Sequence, residues 1–136
     1  MNMTVIRSIT VTDGEASYCG QVGQLWNEIR PRADRVQGSA SAVYDHYRKE
    51  HGQWAYRISA GYPDPGGSVP LQDGGNYRIY EGKKKGITGI YELWSRVWRD
   101  EKAGILKRRR ALDYEWYRTD GTVCLGISVF PGGGRK

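Results

Sequence analysis

The chain repeats itself, and no other feature limits its fold as strongly. The stretch VGQLWNEIR at 22–30 resembles IYELWSRVW at 90–98, with Leu25 and Trp26 matching Leu93 and Trp94 and Ile29 matching Val97. Val22, Leu25, Trp26 and Ile29 follow helical spacing until Pro31, and Ile87, Ile90, Tyr91, Trp94, Val97 and Trp98 extend the same stripe in the second copy. After each helix comes a second match, AVYDHYRKEHGQWAYRISAGY at 42–62 against ALDYEWYRTDGTVCLGISVF at 111–130. Aromatic and β-branched runs interrupted by His51-Gly52 or Asp120-Gly121 predict β-hairpins. One more strand is expected ahead of each helix, at 4–11 and 77–80.

The unit is therefore βαββ, twice. Repeat 1 covers about residues 1–62, a Pro- and Gly-dense connection runs over about 63–74, and repeat 2 covers about 75–131. The predicted class is α+β: antiparallel sheets of duplicated βαββ units related by a pseudo-twofold, helices on one face and a ligand cleft on the other. A length of 136 residues favours one domain.

Composition narrows the function classes. Hydrophobic residues make up 38% of the chain and charged residues 26%, with no apolar run of membrane-spanning length. The first eleven residues do not read as a signal peptide, so a cytoplasmic location is expected. Cys19 and Cys124 lack metal-ligand spacing and read as buried small hydrophobes, and His46 and His51 have no nucleophile in a recognisable motif. No metal, no cofactor and no catalytic residue is predicted. The net charge of +6 is concentrated in Lys83-Lys84-Lys85 and Lys107-Arg108-Arg109-Arg110, which read as solvated turns or strand starts. Direct nucleic-acid binding is not expected, because neither run belongs to a helix-turn-helix, RNP or KH pattern.

Strand alternation places Val43, Asp45 and Tyr47 on one face and Asp113, Glu115 and Tyr117 on the matching face of the second copy. The repeat then pairs Asp45 with Glu115 and Tyr47 with Tyr117. Periodicity alone favours a solvent-facing role for these acids, and Arg57 stands ready to neutralise one of them. The small residues Cys124, Gly126 and Ser128 are expected to leave room beside the site. An acid buried among aromatic rings would have a raised pKa and would select a lipophilic cation.

The order of these segments, with GGNY at 74–77 and the string Arg110, Asp113, Tyr114, Glu115, Tyr117, resembles the gyrase-inhibitor-like effector-binding domains, also found as the effector domains of AraC-type regulators. The stand-alone length is similar to effector-binding proteins encoded in integron cassettes. The resemblance implies a non-catalytic module for amphipathic cationic aromatic compounds, with Glu115 as the ligand-contacting acid. The candidate site is Glu115, Tyr117, Asp45, Tyr47, Tyr80 and Trp94. The competing readings are a hydrolase of strained electrophilic rings in the same cleft, and an interaction module regulating a DNA-bound partner or gyrase. A protein partner or a homodimer fits either binding reading, and no membrane association is expected.

Overall fold

In the computed structural model the described residues are 2–12, Gln24, Leu25, Asn27 and 40–131. Seven strands form one sheet: β1 (Asn2–Thr12), β2 (Ala40–Glu50), β3 (Gln53–Pro63), β4 (Val69–Pro70), β5 (Asn76–Lys85), β6 (Asp113–Tyr117) and β7 (Thr122–Val129). The helix α1 (Gly86–Lys102) follows β5. The order across the sheet is β4-β1-β3-β2-β6-β7-β5, and every neighbouring pair is antiparallel.

The expected α+β arrangement of duplicated βαββ units, with separate sheets, helices on one face and a cleft on the other, is thus corrected. A mostly antiparallel sheet curled into a half-barrel dominates the fold. The physical reason is the edge-to-edge pairing of β2 with β6, which fuses β1-β3-β2 and β6-β7-β5 into a single surface. The helix expected over 22–30 lies outside the described residues apart from Gln24, Leu25 and Asn27, which are helical, and Leu25 is buried in the core. Cys19 also lies outside them. Lys83, Lys84 and Lys85 belong to the end of β5 rather than to a turn, and Lys84 pairs with Glu92 of α1 at 2.9 Å.

Both faces of the sheet are packed. On one, Ile90, Leu93, Trp94 and Val97 of α1 bury against Ala42, Tyr44, Ile58, Leu125 and Ile127. On the other, Leu71 closes over Met3, Val43, Tyr114 and Cys124. The room expected beside Gly126 is occupied by the Tyr114 ring, which lies where a Cβ on Gly126 would stand.

Gly61 shows how closely the backbone is drawn in at a bulge. β1 shifts register against β3 between Val5 and Arg7, and a Cβ on Gly61 would overlap the Thr4 carbonyl. Gly61→Ala should therefore destabilise the protein by about 2 kcal/mol or more in urea unfolding. Gly66→Ala, whose Cβ would meet only the Asp64 carboxylate at an ordinary 3.6 Å, should stay within about 0.5 kcal/mol.

Candidate ligand-binding site

A bulge in β2 decides which side chains meet. Between Asp45 and Arg48 the pairing with β3 shifts, so that His46 and Tyr47 together oppose Tyr56, and His46 takes a left-handed φ of 54°. The extra residue reverses the alternation. Tyr44 and Tyr47, which regular alternation would put on opposite faces, both join the α1 side of the sheet. The β2–β6 register of Ala42 to Glu115 and Tyr44 to Asp113 brings both buried acids of β6 to that side.

Glu115 is 2% exposed. One carboxylate oxygen accepts from the Tyr44 hydroxyl at 2.6 Å and from the Trp94 indole N–H at 2.7 Å, and the other accepts from the Tyr117 hydroxyl at 3.1 Å. Burial pushes its pKa up, and these three donors pull against that shift without cancelling it. Among the described residues its hydrogen-bond partners are all neutral.

Its neighbour Asp113 is fully buried and anchored differently. Ser128 donates to Oδ1 through its backbone N–H and its hydroxyl at 2.7 and 2.8 Å, while Tyr47 and Arg108 donate to Oδ2 at 2.6 and 3.0 Å. The Arg108 side chain is only 6% exposed. Its guanidinium stands over the Trp94 ring at 5.5 Å and over the Tyr47 ring at 5.8 Å. Burial, followed by the nearby Asp113 charge, raises the Tyr47 pKa well above the ordinary tyrosine value.

Tyr44, Tyr47, Tyr56, Trp94, Trp98, Arg108 and Arg110 enclose a cavity of about 20 Å³, room for a single water. Glu115 stands directly behind its Tyr44 and Trp94 walls. Trp98 stacks on Trp94 with centroids 6.1 Å apart and is half exposed, forming the outer wall. A larger hollow of about 170 Å³ opens at Leu71, Gln72, Tyr114 and Trp116, none of which is ionised at neutral pH.

The structure thus gathers Glu115, Tyr117, Tyr47 and Trp94, and separates the other two predicted residues from them. Asp45 lies on the opposite face, held in a two-point pair by Arg57 at 2.9 and 3.0 Å, because the match of Tyr44 with Tyr114 is one residue out of step with the observed pairing. Tyr80 is buried against the last turns of α1, donating to Asp100 at 2.8 Å with Arg78 and Arg96 over its ring, and burial raises its pKa to about 12. Sequence reasoning passed over Tyr44, Asp113 and Arg108. Nor is the run from Arg108 to Arg110 a solvated turn: Arg108 takes Asp113, Arg109 takes Asp73 and Arg110 takes Glu101.

No family model and no curated protein matches the chain. Among solved structures it is similar to VCH_CASS2, an integron cassette protein from the mobile metagenome of Vibrio cholerae, with a TM-score of 0.64 over 95% of each chain and 20% identity. The likeness is one of fold. It supports the similarity to cassette proteins expected above and leaves the gyrase-inhibitor-like family without a matching model. No described helix is long and apolar enough to cross a membrane.

The raised pKa of Glu115 has a definite sign in stability. A carboxyl group that holds its proton more tightly when folded contributes stability below its unfolded pKa and loses it as pH rises through the folded value. The difference in unfolding free energy between the wild type and Glu115→Gln should therefore move against the wild type as pH is raised from 4 to 8. Parallel urea titrations measure it, and a pH-independent difference would contradict the assignment.

Proposed function

We propose that the chain binds small amphipathic aromatic cations between α1 and the sheet, without turning them over. The observation that carries this reading is a buried carboxylate whose three hydrogen-bond partners are neutral, placed behind an aromatic-walled cavity. A buried anion held only by neutral donors is under-compensated, and a cation brought beside it relieves that cost. A ring face is worth roughly 0.5–2 kcal/mol to a well-placed cation, and besides Trp94 and Tyr47, over which Arg108 already stands, the walls include Tyr44, Tyr56 and Trp98. The cavity is small as it stands, so admission of a ligand requires Trp98, the exposed wall, to swing away from Trp94. The shared fold with an integron cassette protein is compatible with this reading but assigns no ligand.

A permanent cation at Glu115 favours the ionised acid and lowers its raised pKa, so binding expels a proton wherever the pH lies below the free-state value. Titration of cationic aromatic dyes followed by tryptophan fluorescence should give saturable quenching. Calorimetry in two buffers of different ionisation enthalpy should show proton release that Glu115→Gln abolishes along with most of the affinity. Undiminished binding by Glu115→Gln would remove the acid from the site. Product formed from an epoxide or cyclopropane compound would point to the hydrolase alternative instead.

A further inference from the structure

The cavity presents two arginines as well as aromatic rings, and the cation site proposed above, on which this inference rests, gives them no task. Arg108 is the sharper of the two. Its Nη2 reaches Asp113 at 3.0 Å and Tyr47 at 3.3 Å, and its Nη1 lies 3.8 Å from Glu101. Its Nε–H has no partner, alone among the buried side-chain nitrogens and oxygens of the described residues. An unmade hydrogen bond on a buried charged donor is expensive and seldom left standing. Arg110 adds a second anomaly, since it holds a left-handed φ of 52° that a non-glycine residue adopts only under constraint. That conformation lays its guanidinium along the cavity, 4.7 Å from the Trp54 ring centroid and paired with Glu101 at 2.7 and 3.0 Å.

We infer that Arg108 and Arg110 form a carboxylate subsite in the wall of the cavity, so that the preferred ligand is an aromatic zwitterion with its cationic group toward Glu115 and its carboxylate toward the arginines. Trp94 separates the two ends. Its indole N–H terminates on Glu115 while its ring face meets Arg108. Asp113 and Glu101 already balance Arg108 and Arg110 charge for charge, so what the arginine end offers a carboxylate is the unmade Nε–H bond of Arg108, whereas Glu115 has no cation against it. Planar guanidinium groups also suit carboxylates geometrically, which is the usual reason for arginine rather than lysine at such a place.

Three probes separate the contributions: benzylamine carries the cation alone, benzoate the anion alone, and 4-(aminomethyl)benzoate both at opposite ends of one ring. Calorimetric titration of the full chain should find 4-(aminomethyl)benzoate bound at least about tenfold more tightly than either of the others, as one charge-assisted contact warrants. Arg108→Lys, which keeps the charge and removes the Nε–H, should erase that advantage, the zwitterion losing about tenfold more affinity than benzylamine does. Should that variant fail to fold, Arg110→Asn carries the test, because asparagine tolerates the left-handed backbone. Its expected signature is the same selective loss, about tenfold larger for the zwitterion than for benzylamine.

Equal affinity for benzylamine and 4-(aminomethyl)benzoate overturns the subsite and leaves the cation reading standing. Arginine-dependent binding of benzoate that ignores Glu115→Gln, with no binding of benzylamine, upholds the subsite and removes the cation reading. Failure of all three probes to bind at about 10 mM overturns both.

Discussion

Five residue pairs between β2 and β6, from Ala40 with Tyr117 to Tyr44 with Asp113, join the two halves of the sheet. Everything at the candidate site depends on their register. Because side chains alternate along a strand, a shift of one position would send Glu115 and Asp113 to the face closed by Leu71 and bring Tyr114 under α1. The bulge at His46 then supplies what regular pairing cannot, a second tyrosine of β2 on the same side as the first. One pairing and one interruption set the acids and the rings face to face.

The two acids of β6 illustrate two ways of burying a charge. Asp113 has a cation, a backbone N–H and two hydroxyls, so its charge is spread over a network that ties β6, β7, β2 and the segment before β6 together. Glu115 has only an indole and two phenols, and burial raises its pKa despite them. The first arrangement reads as architecture. The second leaves an electrostatic vacancy of the kind that recognition sites carry.

Much of the local structure was legible in the chain. The apolar stripe from Ile90 through Trp94 to Val97 is the buried face of α1, and the turns at His51-Gly52 and Asp120-Gly121 close the two hairpins as their residue types require, with Gly52 and Gly121 both at positive φ. What failed was long-range. Nothing in a periodic pattern announces the bulge in β2, so regular alternation keeps Tyr47 on the face of Asp45, and the one-residue offset of the Tyr44–Tyr114 match sets Asp45 beside Glu115. The merging of the halves into one sheet leaves no mark in the sequence, because an edge strand that stays an edge and one that finds a partner have the same alternation. Arg108 did leave a signal: three successive arginines against acids at 73, 101 and 113 suggest pairing more readily than solvation.

Those three arginines fasten three different parts of the molecule from consecutive positions. Arg108 reaches the β2–β6 junction through Asp113 and Tyr47, Arg109 holds the connection between the halves through Asp73, and Arg110 grips the end of α1 through Glu101. Loops are ordinarily where related proteins gain and lose residues most freely. Here a single deletion would hand each guanidinium its neighbour's acid, so this short segment behaves like a three-pin plug whose spacing evolution can alter only by rewiring every socket at once.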